Sequence, residues 1–353
     1  MTKRYFRPAV DAMTGYVPGF QPKGADLIKL NTNENPYPPS PAVAEAIRTE
    51  LDRLRLYPDP TADAAREEVA KLWDVAIDNV IIGNGSDELL TLAIRAFVDA
   101  GQTVSFPSPT YSLYEVLVDI QGGVNAPVDF PEDWSLPATL FANGSPLTIL
   151  SNPNSPTGTM IPPEEVCRLA EGLDGVLLVD EAYVDFAETD CMLLVKQHPN
   201  AIVTRTLSKS YSLAGLRFGY AVASKPMIAG LMKIKDSYNV DRLAIAAGAA
   251  ALADQAHMLA NAGKVEATRA RLVTELAGLG FETLPTQANF ILTRPPEGLT
   301  AKDYFDALWE RRILIRWLDT PRVRDRVRIS IGSNTEIDRL LEETRDILGR
   351  DRA

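Results

Sequence analysis

The stretch Thr204-Arg205-Thr206-Leu207-Ser208-Lys209-Ser210-Tyr211 follows the apolar run Ala201-Ile202-Val203 and leads to Gly215-Leu216-Arg217-Phe218-Gly219. A lysine is ordinarily a solvated surface charge. Small and apolar neighbours predict partial burial for Lys209. Burial and nearby positive charge, here Arg217, both lower a lysine's pKa and make it a nucleophile toward carbonyls. In isolation the stretch equally suits a surface lysine at a strand end.

Other residues add possible chemistry. Gly83-Asn84-Gly85-Ser86-Asp87 joins an apolar strand to the start of a helix. Unpaired N–H groups and the helix dipole favour an anion there, and glycine lets a phosphate approach the backbone. No Gly-Lys-Ser/Thr follows and the GxGxxG pattern is absent, so an ordinary βα turn is the competing reading. Asn152-Pro153-Asn154-Ser155-Pro156-Thr157-Gly158 forms an irregular loop after another strand, where α/β proteins bind ligands. Asp180 directly follows Val176-Leu177-Leu178-Val179. A carboxylate so placed needs a partner, or else caps a helix. Arg328 interrupts an apolar strand pattern, which favours a bidentate carboxylate or phosphate partner. The neighbouring Arg322, Arg324 and Arg326 leave open a merely basic, outward-facing strand.

The elements that must position these residues alternate. Leu27–Leu30 reads as a short strand. Ser40-Pro41 opens a helix carrying Val43, Ile47, Leu51 and Leu54. Tyr57-Pro58-Asp59-Pro60 breaks it, and Thr61 is expected to cap the next helix, which ends near Trp73. Short apolar strands are expected at Val80–Ile82, Thr103–Phe106, Leu147–Leu150, Val176–Val179, Ile202–Thr204 and Tyr220–Val222, with helices between several of them. This is the signature of a mostly parallel α/β sheet covered on both faces. Helices follow over Pro226–Asp236 and within Arg242–Leu279. After Gly280 come strands at Asn289–Leu292, Ile313–Arg316 and Val327–Ile331, and helices at Ala301–Arg312 and Thr335–Leu348. The expected organisation is an N-terminal arm over 1–40 joining the small unit, a large domain over 41–279, and a smaller α+β domain over 280–353.

Composition narrows the function. The chain has 353 residues, 46% hydrophobic and 24% charged, with a net charge of −11. That acidity argues against nucleic acid or an anionic membrane as partner. An anionic ligand would need a few well-placed arginines. Cys167 and Cys191 form no metal or redox motif, and two histidines form no metal cluster, so no metal is expected. No signal peptide or bilayer-spanning run is read, and a reducing, cytoplasmic setting is the simplest expectation.

Taken in order, Gly85-Ser86-Asp87, Tyr111, Asn154-Ser155-Pro156-Thr157-Gly158, Asp180-Glu181-Ala182-Tyr183, Ser208-Lys209 and Arg217 resemble the fold-type I pyridoxal-phosphate aminotransferases over nearly the whole chain. Asn31–Pro36, Leu56-Tyr57-Pro58-Asp59 and Tyr238-Asn239-Val240 resemble the histidinol-phosphate aminotransferase branch. The resemblance implies a seven-stranded-type sheet and pyridoxal 5′-phosphate as cofactor. It implies that Lys209 condenses with the cofactor aldehyde and later carries a proton, and that Asp180 holds the pyridine nitrogen protonated. Asn154 and Tyr183 would bond the ring's phenolic oxygen, and Tyr111 would stack on the ring. The phosphate would take the N–H groups of Ser86 and Asp87, the hydroxyls of Thr206 and Ser208, and Arg217. Tyr57 would reach the neighbouring subunit's cofactor, making the unit a homodimer. Arg328 and Arg316 would bind the substrate's anionic groups, with Tyr16 contributing from the partner subunit. The implied reaction moves an amino group between L-histidinol phosphate and 2-oxoglutarate in histidine biosynthesis. An aromatic amino acid aminotransferase or a threonine-phosphate decarboxylase shares the fold. A non-catalytic regulatory module is disfavoured by intact Lys209 and Asp180, and by the lack of room for a DNA-binding domain before the first motif.

Overall fold

The computed structural model describes residues 5–22, 27–142 and 144–349, so residues 1–4 and 23–26 of the expected arm and 350–353 of the expected small domain lie outside it. Its strands are β1 (Ile28–Lys29), β2 (Val80–Gly83), β3 (Thr103–Ser108), β4 (Val124–Asp129), β5 (Leu147–Ser151), β6 (Val176–Asp180), β7 (Ala201–Thr206), β8 (Gly219–Ala223), β9 (Glu282–Thr283), β10 (Phe290–Arg294), β11 (Ile313–Leu314), β12 (Arg316–Trp317) and β13 (Val327–Ser330). The helices are α1 (Pro8–Ala12), α2 (Pro41–Glu50), α3 (Asp63–Trp73), α4 (Ser86–Phe97), α5 (Leu113–Gln121), α6 (Pro163–Gly172), α7 (Leu194–Gln197), α8 (Lys225–Met232), α9 (Arg242–Ala253), α10 (Gln255–Gly278), α11 (Ala301–Glu310) and α12 (Asn334–Ile347).

Seven strands form one sheet in the order β2-β8-β7-β6-β5-β3-β4. Every residue of β2, β5, β6, β7 and β8 is buried. Successive side chains go to opposite faces. Ile81, Ile149, Leu178, Ile202 and Ala221 therefore join one core layer with α4 and α5, while Ile82, Leu150, Val179, Val203 and Val222 join the other. The sheet is parallel except for β8, which runs antiparallel to both β2 and β7. The edge strand β4 escapes the sequence reading because none of its residues is buried and Pro127 interrupts its pattern.

The parallel strands β3, β5, β6 and β7 end along one edge. There Asp180 is paired in register with Ser151 on one side and with Thr204 on the other. Such an edge is where ligands bind in α/β sheets.

Residues 282–330 supply a four-stranded sheet, β12-β13-β10-β9, and β1 pairs in parallel with β11. The expected single strand Ile313–Arg316 is thus two. Its first half pairs with β1 and its second with β13, so the chain changes partners at Ile315. At the start of α2, the Ser40 hydroxyl accepts from the Ala42 N–H as expected. Thr61 does not cap α3. Ala62 holds that position at φ 55°, and the Asp59 carboxylate accepts from the N–H groups of Thr61 and Asp63 instead. No single described helix is long and apolar enough to cross a membrane. The Ala-rich α9 and the following α10 meet at a 77° bend at Asp254, and α9 packs against α2 and α3.

Candidate active site

A cavity of about 630 Å³ opens at the carboxyl edge of the large sheet. Its walls include Tyr16, Ser86, Asp87, Tyr111, Asp180, Tyr183, Thr206, Ser208, Lys209, Arg217, Arg316 and Arg328. Residues more than 300 positions apart meet here because the strand ends and the small sheet face one another. Gly85, Asn154 and Tyr57 do not line the cavity.

Lys209 follows β7 in a loop held from outside. The Asn35 amide donates to the carbonyls of Lys209 and Ser210, both at 3.1 Å. The Lys209 ammonium is partly buried, 3.5 Å from the Thr32 carbonyl and 5.6 Å from the centre of the Tyr183 ring. Asn33, at φ 58°, donates to the Tyr183 hydroxyl at 3.1 Å. The Asn31–Pro36 segment therefore positions both Lys209 and Tyr183, a role its distance in sequence conceals.

Asp180 is fully enclosed at the end of β6. Burial pushes its carboxyl up to about 6. Hydrogen bonds from Tyr114 at 2.7 Å and Thr204 at 3.4 Å hold it back, and the charge of Asp87 adds to the rise. Nothing in the sequence pattern marks Tyr114, which stands three residues after Tyr111, in the first turn of α5. Next to Asp180, Glu181 is raised to about 7 by burial, against the lowering effect of Arg205. Arg205 also meets Asp185 at 3.2 Å and covers Trp73 at 4.2 Å. The Ser210 hydroxyl donates to Asp185, so this buried ion cluster braces the lysine loop from behind.

One end of the cavity is built for an anion. Gly85 precedes α4 at φ 77°, and no side-chain oxygen caps the first N–H groups of that helix. Gly85 is favoured by its φ of 77°, since a Cβ there would meet only the movable tip of Arg217, whereas a Cβ on Gly219 would lie 2.6 Å from the Ser86 backbone nitrogen, so close approach requires that glycine. Arg217 donates to the Ser208 hydroxyl at 3.2 Å and to Asp87 at 3.1 Å. Thr206 donates to the Ser208 hydroxyl at 3.0 Å. The Tyr111 hydroxyl reaches Asp87 at 3.5 Å, and burial raises its pKa well above the usual phenol range.

Two expectations change. The amide of Asn154 is committed inside its own loop. It donates to the Pro109 carbonyl at 3.1 Å and to Thr157 at 2.9 Å, and accepts from Thr110 at 2.9 Å. The next residue, Ser155, lines the cavity instead. Tyr16, expected from a partner, lies in its own chain's cavity with its ring edge-on to Tyr111 at 5.8 Å. The arm reaches there because the Asn31 amide donates to the Phe20 carbonyl and Phe20 packs on Trp309. Tyr57 is 76% exposed and stacks on Tyr238 at 4.5 Å.

The far end of the cavity is cationic. Arg316 and Arg328 stand directly opposite one another on β12 and β13. Like charges so placed repel, and no carboxylate is paired with either among the described residues. Arg328 donates to the Asn31 carbonyl at 3.0 Å and to the Ser155 hydroxyl at 3.3 Å, while its buried Nε has no partner. Burial first, and then Arg316, lower its pKa. A buried donor without a partner points to a ligand.

Comparison with known proteins agrees with this geometry. The family profile described as aminotransferase class I and II matches residues 25–343. A Nostoc protein named histidinol-phosphate aminotransferase 1 is 46% identical over 98% of both chains. The histidinol-phosphate aminotransferase of Syntrophotalea carbinolica is 45% identical over 97% of this chain and 99% of its own. Among solved structures, histidinol-phosphate aminotransferase from Sinorhizobium meliloti in complex with pyridoxal-5′-phosphate superposes with a TM-score of 0.87 at 28% identity, covering 98% of this chain and 99% of that one.

Proposed function

The chain belongs to the class I and II aminotransferase family, and from that premise we propose that it exchanges an amino group between L-histidinol phosphate and 2-oxoglutarate in histidine biosynthesis. It is a transaminase that works with pyridoxal 5′-phosphate. The observation that carries the reading is one cavity holding Lys209, Asp180, an anion cup and two arginines that have no carboxylate partner among the described residues.

The donor set fits the cofactor. The N–H groups of Ser86 and Asp87, the hydroxyls of Thr206 and Ser208, and Arg217 would hold its phosphate. Asp180 would hold a proton on the ring nitrogen, Tyr111 would cover the ring, and Tyr183 with Ser155 would bond its phenolic oxygen. Bound there, the cofactor supplies an aldehyde that accepts the amino group and a ring that draws electrons from the substrate Cα. Lys209 Nζ would hold that aldehyde at rest and would be placed to move the proton at the substrate Cα. Arg328 binds the glutamate carboxylate or the substrate phosphate, and Arg316 adds a contact chiefly to the more highly charged phosphate. Tyr16 closes the cavity over the substrate.

We take the active unit to be a homodimer in the cytoplasm, with Tyr57 reaching the cofactor phosphate of the neighbouring subunit. Its exposure beside other exposed apolar residues supports this, and the two free cysteines suit a reducing compartment. The division into an arm (1–40), a large domain (41–279) and a small domain (280–353) is supported by the separate sheets.

Single-turnover half-reactions with histidinol phosphate, glutamate, phenylalanine, tyrosine and threonine phosphate test the reading. Histidinol phosphate and glutamate should react fastest. Charge-assisted hydrogen bonds predict that Arg328→Ala slows both by roughly 10- to 100-fold, while Arg316→Ala slows histidinol phosphate more than glutamate. Far faster reaction with phenylalanine or tyrosine would replace the proposal with an aromatic aminotransferase.

A further inference from the structure

We infer that Tyr114 is a positioning residue that keeps Asp180 ionised through the hydrogen bond it donates to that carboxylate. The inference rests on the reading of Asp180 as the partner of the cofactor's ring nitrogen. A carboxylate serves that nitrogen only as an anion, yet Asp180 is 2% exposed, and burial favours its neutral form. The groups facing it are few. Thr204 from β7 donates at a long 3.4 Å, the backbone N–H of Ala182 also lowers its pKa, and Asp87 at the start of α4 opposes ionisation. Tyr114 from α5 makes the short contact, 2.7 Å to Oδ2.

The phenol is well suited to donate and poorly suited to do anything else. It is wholly buried, and burial followed by the Asp180 charge raises its pKa far above the usual range, so it keeps its proton. Its ring is fixed edge-on to Tyr111 at 5.6 Å and tilted on Phe106 at 6.1 Å. Tyr111 and Tyr114 bracket the turn that opens α5, the Tyr114 N–H donating to the Tyr111 carbonyl at 3.1 Å, so a single turn carries both the cover for the cofactor ring and the donor that sets the charge beneath it.

The test is Tyr114→Phe, which removes one oxygen from the same ring. In cofactor-free protein labelled with 13Cγ-aspartate, with Asp180→Asn identifying the resonance, the Asp180 midpoint should rise by roughly 1–2 pH units. In the loaded enzyme, 15N-labelled cofactor should show a smaller protonated fraction at the ring nitrogen than in wild type, the shared proton moving toward Asp180. Tyr111→Phe, which leaves the Tyr114 hydroxyl in place, should not move the Asp180 midpoint. Should Tyr114→Phe fold poorly, 3-fluorotyrosine at position 114, a stronger donor, should move the midpoint downward. An Asp180 midpoint unchanged in folded variants would overturn the role of Tyr114. A shifted midpoint with unchanged ring-nitrogen protonation would overturn the pairing of Asp180 with the cofactor, and the inference with it.

Discussion

Asp180 carries a charge where burial penalises it, and the penalty is measurable without any substrate. Its folded midpoint of about 6 lies above its ordinary 3.8. The folded state therefore holds the proton more tightly than the unfolded one. That contribution to stability is present below pH 3.8 and is lost as pH rises through 6. The difference corresponds to roughly 3 kcal/mol. Asp180→Asn removes the charge while leaving an acceptor for Tyr114. The cofactor-free variant should match wild type near pH 4, melt above it near pH 7.5, and lose most transamination. Equal melting differences at both pH values would contradict this. Glu181 acts in the same sense between 4.5 and about 7 and remains in both proteins. A second contrast separates neighbours in one loop. Ser155→Ala should slow both half-reactions with little loss of stability. Asn154→Ala should cost roughly 1–3 kcal/mol, because it strips partners from Thr110 and Thr157. Thermal melts beside single-turnover rates decide between them.

At the scale of elements, the anion cup depends on how closely β8 approaches the start of α4. Gly219 sits at that contact, where an added Cβ would lie 2.6 Å from the Ser86 nitrogen and 2.9 Å from the Arg205 carbonyl. Backbone cannot yield as a side-chain tip can. Gly219→Ala should cost roughly 1–3 kcal/mol and weaken cofactor retention, read by equilibrium dialysis. Gly230→Ala is the control, since Gly230 lies in α8 with nothing within 4 Å of a new Cβ. It should be neutral or slightly stabilising.

For the whole molecule, the surface carries an apolar set that the single chain leaves uncovered. Leu51, Leu54, Leu56, Tyr57 and Tyr238 are all exposed. The helical spacing of Leu51 and Leu54 with Val43 and Ile47 predicts a buried face, yet the folded chain buries Val43 and leaves Leu51 and Leu54 in water. A second copy seated on this face would resolve that conflict. Leu54→Asp should shift sedimentation toward monomer and reduce activity and cofactor retention together. Mixing Lys209→Ala chains with Tyr57→Phe chains should yield hybrid sites that separate the two defects. A fully active monomer would count against a shared site.

Much of the protein was legible in its residues alone. Short apolar runs ended by turn residues satisfy their backbone and bury both faces as strands of a sheet covered on both sides, even at the edge, where β2 lies. This is why β2, β5, β6, β7 and β8, and the strand ends that line the cavity, were readable. Lys209, Asp180 and Arg217 stood out because charged groups beside such runs need partners. What remained hidden depended on distance in space rather than in sequence. Asn33 and Asn35 reach Tyr183 and the Lys209 loop across more than 140 positions, and Arg316 faces Arg328 only through strand register. Asn154 and Ser155 are adjacent and both polar, and only the packed loop decides which side chain is spent on its own backbone and which faces the cavity. The sequence determined which residues had to find partners, and tertiary packing decided which partners they found.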